Sequence, residues 1–324
     1  MHPALACLLL LACRAAAGEN WQVAPDWPRL PAGDRLGVCA GVGVDASDRV
    51  FVFHRSGRKW STPFPAEPIA EPTVSVFDGN TGTLLDRWGS VRFIMPHGLS
   101  VDREGNVWLT DVGLHQVFKC SPRGEILLTL GEAGVRGADR THFNLPSDVA
   151  VLPDGSFYIS DGYKNTRVVK FSADGRYEFE WGSPGSGPGE FNLPHDLALD
   201  ADGRVYVCDR ENLRLQVFDA RGHFLAQWQG PQIGKPYGVD VAPDGRLLVI
   251  DGGQPSLKPE ARGKAVILDA EGRVQATFGG PGNAPGQFQL GHDIAAGPEG
   301  VLYVAEGAGE RVQKFVRVSA PAAP

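Results

Sequence analysis

Three histidines share one position of a repeated sequence pattern, and they are the residues of this chain best suited to metal chemistry. Six copies of the pattern begin at Ala40, His97, Ser147, His195, Tyr237 and His292. Histidine therefore occupies every second copy. If the copies form a ring, alternate copies define a triangle around its axis. Three imidazoles with an open fourth position form a catalytic zinc shell.

The donor set favours zinc, although iron, cobalt or copper would also bind imidazole. Thiolate ligation has no support, because the chain contains no Cys-x-x-Cys motif. The alternative interpretation is that the histidines are core or capping residues that share a position by chance. The other five histidines occupy no common repeat position, which makes random placement a poor explanation. We therefore expect His97, His195 and His292 to be metal ligands.

Two arginines and a tyrosine are expected at the rim of the same site. Arg55 and Arg210 each follow the acid or histidine that ends a predicted second strand, and Tyr163 lies one residue further along in its copy. Arginine binds carboxylates through paired donors. A tyrosine beside a dication and a guanidinium is expected to have a lowered pKa and to act as a base. The alternatives are solvated surface arginines and a packing aromatic.

The elements that position these residues are short β-strands. Each copy reads as an apolar strand, an Asp- and Gly-rich turn and a second strand, and most copies continue with another hairpin. The copies begin about 40 to about 57 residues apart, which is typical of four-stranded propeller blades. The pattern predicts an all-β, six-bladed β-propeller of antiparallel blades. The last copy lacks a fourth strand, and residues 20–30 are expected to supply it and close the ring.

Two long interruptions of the pattern, residues 56–73 and 252–263, follow second strands. Both are expected over one face of the ring, where long loops on a rigid scaffold often bind ligands.

The amino terminus resembles an export signal. Residues 1–17 combine an apolar run with small residues, and we interpret them as a cleaved signal peptide of a secreted protein. A lipoprotein anchored through Cys13 and an uncleaved apolar terminus are the alternatives. No segment is long enough to span a bilayer. Residues 18–318 then form the propeller, and residues 319–324 form a tail.

The net charge of −7 and the lack of a basic stripe argue against nucleic acid as a partner.

Three cysteines lie outside the predicted signal peptide, namely Cys39, Cys120 and Cys208. Three cysteines allow at most one internal disulfide, and their spacing does not indicate which pair would form it.

Eight segments of the chain resemble a known family of enzymes. They are FHR (53–55), PHGLSVD (96–102), TDVGLHQVFK (110–119), HFNLPSDVAV (142–151), SDGYKNTRVVKF (160–171), PHDLALD (194–200), DRENLRLQVF (209–218) and HDIA (292–295). The segments are similar to the peptidyl-α-hydroxyglycine α-amidating lyase domain, a propeller of NHL-type repeats. The resemblance extends over about residues 38–316. It implies a lyase that cleaves peptidyl-α-hydroxyglycine into a peptide amide and glyoxylate.

The resemblance also implies roles for individual residues. It implies zinc on His97, His195 and His292, Tyr163 as the base, and Arg55 and Arg210 lining the site. It further implies a calcium ion in the channel, bound by the carbonyl groups of Val42 and Leu99 and by the carboxylate of Asp293. Oxygen ligands suit that ion. The zinc is expected to act as a Lewis acid and template.

The chain departs from the family in two respects. Positions of two disulfides of the mammalian-type domain carry Asn144 with Lys164 and Tyr206 with Val217, so those crosslinks are not expected. The copper monooxygenase half that makes the hydroxyglycine is absent from this sequence. A separate monooxygenase must then supply the substrate, or the natural substrate differs. Two other functions are alternatives: a non-catalytic NHL-type propeller that binds peptides or proteins, and a calcium-dependent propeller lactonase or esterase.

Overall fold

Each repeat begins as an antiparallel hairpin, and in five of the six repeats an aspartate stabilises its turn. In the second copy, Oδ1 of Asp102 accepts hydrogen bonds from the N–H groups of Glu104 (3.1 Å) and Asn106 (2.8 Å). Gly105 completes the turn at φ +82°, a conformation that favours glycine. The turn brings two apolar strands side by side, as the sequence pattern predicts.

The computed structural model describes residues 20–253 and 263–318, and these residues contain 24 strands in six four-stranded antiparallel sheets. Blade 1 comprises β2 (Cys39–Val44), β3 (Arg49–His54), β4 (Val74–Asp78) and β5 (Leu84–Trp88). Blade 2 comprises β6 (Pro96–Val101), β7 (Val107–Asp111), β8 (Gln116–Cys120) and β9 (Ile126–Leu130). Blade 3 comprises β10 (Asp148–Val151), β11 (Phe157–Asp161), β12 (Arg167–Phe171) and β13 (Tyr177–Trp181). Blade 4 comprises β14 (Pro194–Leu199), β15 (Val205–Asp209), β16 (Arg214–Phe218) and β17 (Phe224–Gln229). Blade 5 comprises β18 (Pro236–Val241), β19 (Leu247–Asp251), β20 (Lys264–Leu268) and β21 (Val274–Gly279). Blade 6 comprises β22 (Gly291–Ala296), β23 (Leu302–Glu306), β24 (Arg311–Val318) and β1 (Asn20–Val23). Single 3-10 turns occur at Arg210–Asn212 and Pro298–Gly300. The predicted six-bladed propeller is therefore confirmed.

The first strand of the chain closes the ring. β1 pairs antiparallel with β24, with Asn20 opposite Val318 and Val23 opposite Phe315. The N–H of Ala24 extends the pairing through a 2.7 Å hydrogen bond to the carbonyl of Lys314. The amino-terminal segment thus supplies the fourth strand of blade 6, as predicted, although the paired part is only four residues long.

The apolar core lies between neighbouring blades. Between blades 1 and 2, for example, Phe51 and Phe53 of β3 pack with Leu109 of β7 and Phe118 of β8. Burial of each such side chain contributes roughly 1.5–3 kcal/mol. The blades therefore stabilise one another around the ring, while their first strands line the central axis.

Fourth strands are locked to the next blade by tryptophan. At three junctions an indole packs against a glycine in the outer hairpin turn of the following blade. The pairs are Trp88 with Gly124, Trp181 with Gly222, and Trp228 with Gly272. A Cβ on any of these glycines would come within 2.6 Å of the indole, so the contact requires glycine.

The three cysteines of the propeller are free, buried thiols. Burial raises the pKa of all three, that of Cys120 to about 11. The described residues therefore hold no disulfide. Tyr206 lies directly opposite Val217 in the β15–β16 pair, and both pack in one apolar cluster.

The predicted signal peptide, residues 1–17, including Cys13, and the predicted tail, residues 319–324, lie outside the described residues, as do residues 254–262 of the second long loop. No helix in the described ranges has the length and apolar character of a membrane span.

Candidate metal centre and active site

The three predicted ligand histidines meet at the axis of the ring. They stand on the first strands of blades 2, 4 and 6, and their ligand nitrogens all lie within 4.8 Å of one another. The ring centroid of His97 is 4.8 Å from those of His195 and His292, and the last two are 5.0 Å apart. All three are buried, with 1%, 2% and 7% of their surface exposed. The arrangement is the one that alternate copies of a six-membered ring predict.

Each imidazole is oriented by a backbone carbonyl of the following blade. Nδ1 lies 2.7 Å from the carbonyl oxygen of Ser147 for His97, 2.6 Å from that of Tyr237 for His195, and 2.8 Å from that of Ala40 for His292. A carbonyl oxygen only accepts hydrogen bonds, so Nδ1 carries the proton in each ring. Nε2 of each ring then carries no proton and keeps its lone pair, as metal-ligating histidines require.

The environment also keeps the three rings neutral. Burial lowers the pKa of His97 and His195 well below the usual value, and lowers that of His292 to about 3. The guanidinium groups of Arg55 and Arg210 and the neighbouring imidazoles contribute in the same direction. The site therefore presents three unprotonated nitrogen donors at neutral pH, a set that fits zinc.

The hydroxyl group of Tyr163 lies among these donors. Its oxygen is 2.9 Å from Nε2 of His97 and 3.2 Å from Nε2 of His195, and Nη1 of Arg210 donates to it over 3.2 Å. One hydroxyl proton satisfies only one of the two imidazole lone pairs. The second lone pair then faces the tyrosine oxygen, acceptor against acceptor. A cation among the three histidines would resolve this mismatch, so the residues present fit a metal ion.

The lowered pKa of Tyr163 was predicted for a tyrosine beside a bound dication, so the protein without the ion does not test it. Burial raises the pKa of this phenol, and the opposing influence of Arg210 and Arg55 is smaller. The sequence indicated the guanidinium groups but not the degree of burial. A lowered pKa would require the additional charge of a bound metal.

Both predicted arginines lie beside this tyrosine. The Arg210 guanidinium carbon is 5.2 Å from the centre of the Tyr163 ring, and its Nε donates to Glu211 over 3.0 Å. Nε of Arg55 donates to the carbonyl of Pro96 over 2.8 Å, directly before His97. The structure thus brings together all six residues predicted for catalysis and zinc binding.

The acids that end the second strands hold the segments that lead into the histidines. A backbone N–H just before each histidine donates to a carboxylate over 2.7 Å. These pairs are Ile94 with Asp111 before His97, Asn192 with Asp209 before His195, and Gln289 with Glu306 before His292. Through these hydrogen bonds the acids have a structural role, which is to place the first strands.

A second group of polar residues lines the channel beyond the histidines. The cavity there has a volume of about 240 Å³ and is lined by Val42, Leu99 and Asp293, the three residues expected at the calcium ion. The N–H of Val42 donates to Asp293 Oδ2 over 2.8 Å. Since N–H and C=O of one strand residue point to the same edge, the Val42 carbonyl also faces the axis.

Three further carboxyl groups line this channel and were not predicted: Asp148, Asp196 and Asp240. No Lys, Arg or His occurs among the described residues that line it. Burial raises the pKa of all four aspartates, that of Asp240 to about 6. Buried carboxylates without a basic partner fit a hard cation with oxygen ligands.

A repeat-position signal for two of these three carboxyls, Asp148 and Asp196, was present in the sequence. Asp148, Asp196 and Asp293 follow the first residue of their copies, and the other three copies have glycine there. Tyr237 was also missed, although it occupies the histidine position of its copy. Its ring lies 4.7 Å from the guanidinium carbon of Arg210.

Comparisons with known proteins agree with this geometry. Residues 93–120, 143–171 and 191–218 match the NHL repeat. The chain is 37% identical over 310 residues to peptidyl-glycine alpha-amidating monooxygenase B of Xenopus laevis, covering 90% of this chain and 35% of that protein. It is 33% identical over 290 residues to peptidyl-alpha-hydroxyglycine alpha-amidating lyase 2 of Drosophila melanogaster, covering 84% and 69%.

The chain thus spans about a third of the length of the Xenopus protein. Among solved structures, a streptogramin B lyase superimposes with a TM-score of 0.60 at 12% identity, covering 93% of this chain and 98% of that one. At that identity the match bears on the fold alone.

Proposed function

Because the chain belongs to the peptidyl-α-hydroxyglycine α-amidating lyase family, we propose that it cleaves peptidyl-α-hydroxyglycine into a peptide amide and glyoxylate. The observation that carries the proposal is the meeting of three neutral imidazoles with one phenol and one guanidinium at the axis of the ring. A non-catalytic repeat protein has no need for these groups at one point.

The substrate ends in a carboxylate, which the two arginines are placed to bind. Within the described residues the side chain of Arg55 makes one hydrogen bond, from Nε to the carbonyl of Pro96, so its terminal nitrogens remain available to an anion. Arg210 already donates to the Tyr163 hydroxyl. A carboxylate held by these guanidinium groups brings the neighbouring hydroxyl of the substrate to the tyrosine oxygen.

Tyr163 is the proposed base. Its oxygen, as phenolate, takes the proton of the substrate hydroxyl. The O–H electrons form the carbonyl of glyoxylate, the C–N bond breaks, and the nitrogen takes up a proton to give the amide. A zinc ion held by His97, His195 and His292 would supply Lewis acidity to the oxygens of the substrate. Arg210 stabilises the phenolate by donating to its oxygen.

We propose further that the channel holds calcium through Asp293 and the carbonyl groups of Val42 and Leu99. The support is the oxygen-rich lining and the surplus of buried carboxyl groups. The ion would offset their mutual repulsion and connect blades 1, 2 and 6 at the axis, which is a structural rather than a chemical contribution.

The proposed substrate arises by hydroxylation of a carboxy-terminal glycine. We propose that a separate copper monooxygenase carries out that step, with the two proteins meeting in the secretory pathway or outside the cell. The signal peptide predicted at residues 1–17 supports export.

The function is tested by glyoxylate release from an α-hydroxyglycine-extended peptide, with the zinc content measured on the same preparations. We expect about one zinc per chain and activity in the wild type. Tyr163→Phe should retain zinc and lose roughly 10²–10⁴-fold in kcat, the usual contribution of a general base.

Tyr158→Phe is the matched control. It removes a tyrosine hydroxyl from the same blade, one that donates to the Ala220 carbonyl over 2.8 Å away from the site. Full activity of Tyr163→Phe would exclude the tyrosine as base. A zinc-loaded wild type that releases no glyoxylate would instead favour a peptide- or protein-binding propeller.

A further inference from the structure

The long loop of blade 1, residues 56–73, lies beside the proposed catalytic tyrosine. Trp60 of this loop packs on Tyr163, with ring centroids 5.1 Å apart and an interplanar angle of 31°. The Arg55 guanidinium carbon lies 5.4 Å from the centre of the indole. The indole therefore borders both the base and one of the carboxylate-binding groups.

The loop is held in place independently of any substrate. Nη1 of Arg58 donates to the carbonyl groups of Glu67 and Ile94, each over 2.8 Å. Lys59 forms an ion pair with Glu310, in the turn between β23 and β24 of blade 6. Phe64 packs edge-on against Trp60 at 4.9 Å. The position of the indole is thus set before a ligand arrives, which reduces the entropic cost of binding.

Trp60 nevertheless keeps 41% of its surface exposed. Among the large apolar side chains that are exposed in the described part of the chain, it is the one aromatic residue. Others, such as Leu85, Ile126 and Leu225, stand on the outermost strands of their blades. An exposed indole next to the proposed base needs an explanation that an outer-strand leucine does not.

The geometry of a peptide supplies that explanation. If the hydroxyglycine reaches the Tyr163 hydroxyl, the α-carbon of the residue before it is only about 3.8 Å from that of the hydroxyglycine. Its side chain then passes the rim of the site, where Trp60 is exposed. We propose that Trp60, supported by Phe64, binds the side chain of the residue that precedes hydroxyglycine and selects aromatic and large aliphatic side chains.

Local charge adds a second element of selectivity. The Arg55 guanidinium lies over the indole ring, and Arg58 and Lys59 directly precede Trp60 in sequence, Lys59 being paired with Glu310. A cationic side chain at this place would meet like charges, so lysine and arginine before the hydroxyglycine are disfavoured. The inference rests on the proposed function and specifies its substrate class.

The test compares kcat/KM for N-acetyl-Ala-X-α-hydroxyglycine peptides with X as Phe, Leu, Gly or Lys. For the wild type we expect Phe and Leu to exceed Gly by about tenfold, and Lys to be the poorest. Trp60→Ala should lower the Phe-to-Gly ratio about tenfold, mainly through the KM for Phe, and Trp60→Phe should restore much of it.

Two controls separate recognition from loop stability. Lys59→Ala breaks the ion pair to Glu310 but leaves the indole and the Arg58 and Phe64 contacts of the loop, so the Phe-to-Gly ratio should fall less than in Trp60→Ala. Leu225→Ala removes an exposed apolar side chain of blade 4 and should leave the ratio unchanged. An equal loss for Phe and Gly in Trp60→Ala, or a wild type without preference, overturns the inference while the lyase function stands. A wild type that cleaves none of the peptides overturns both.

Discussion

At the scale of single residues, the site depends on where protons reside. Carbonyl oxygens of Ala40, Ser147 and Tyr237 hold the Nδ1 protons of the three histidines. These acceptors are backbone groups, so no substitution of their side chains removes them. The metal-binding tautomer of each histidine is therefore set by the assembled propeller, because each carbonyl belongs to the blade that follows the histidine.

The buried carboxyl groups of the channel make the free energy of unfolding depend on pH, and one substitution tests this dependence. Burial raises the pKa of Asp240 from the ordinary 3.8 to about 6. Between these values the folded chain binds the proton more tightly than the unfolded chain, so the free energy of unfolding falls as the pH rises. In chelator, Asp240→Asn should abolish a decline on the order of 2–3 kcal/mol between about pH 4 and pH 7.

The measurement is urea unfolding of both proteins at several pH values. Asparagine loses one of the acceptors for the N–H groups of Val241 and Ala296, which lowers stability by an amount that does not depend on pH. The difference in slope therefore reports the Asp240 carboxyl group together with the effect of its charge on the pKa values of Asp148 and Asp293. Parallel stability–pH curves for wild type and variant would contradict the raised pKa.

Sequence reasoning found the histidines because they share a repeat position, and it found Tyr163 and the arginines because they follow equivalent strands. It missed Trp60 because this residue lies in an insertion outside the repeat pattern, where no shared repeat position singles it out. The burial that raises the pKa of Tyr163 in the protein without a metal was not predictable, since it depends on neighbours that are remote in sequence.

At the scale of elements, three of the outer hairpin turns contact a tryptophan of the preceding blade through a glycine. Gly222 has φ +79°, and a Cβ there would lie 2.6 Å from Cδ2 of Trp181. Gly245 has a similar φ of +83° but no heavy atom within 4 Å of a built Cβ. The two positions therefore separate backbone strain from loss of interblade packing.

We expect Gly245→Ala to lower the free energy of unfolding by about 1–2 kcal/mol, the cost of the left-handed conformation. Gly222→Ala should lower it by about 1–3 kcal/mol more, because the indole must move. Thermal and urea unfolding measure both. An equal decrease in the free energy of unfolding for the two variants would show that the contact between Gly222 and Trp181 contributes nothing to stability.

The strands themselves were predictable because apolar residues alternate and Asp–Gly turns separate them. Their ends were less so: residues 20–30 were expected to close the ring, and only Asn20–Val23 form the strand. Proline at position 25 limits the extension, since it lacks the N–H that a strand would donate.

At the scale of the whole molecule, closure of the ring joins the site to the fold. The contact of His292 with the Ala40 carbonyl and that of Asp293 with the Val42 N–H both cross the junction between blades 6 and 1. The repeat number predicted the ring, but the cross-blade contacts follow only from the coordinates.

Trp21 of β1 tests closure directly. Its ring stacks on Phe278 of β21 in blade 5, with centroids 5.6 Å apart and an angle of 28°. Trp21→Ala should lower the free energy of unfolding by about 2 kcal/mol, less than for a fully buried tryptophan because Trp21 is half-buried. Thermal unfolding is the measurement.

Leu225→Ala is the control for this variant, because Leu225 also stands on a fourth strand but is 52% exposed. It should change the free energy of unfolding by no more than about 0.5 kcal/mol. A similar loss in both variants would mean that β1 is no more important than any other outer strand.

The pairing of Asn20 with Val318 has a consequence for architecture on a larger scale. The strand that enters the propeller and the strand that leaves it are adjacent and antiparallel, so the described chain begins and ends at one place in blade 6. Such a ring can be inserted into a longer polypeptide with short tethers and without disturbing the axial site. Relatives that carry the same unit within a much longer chain are compatible with that modular use.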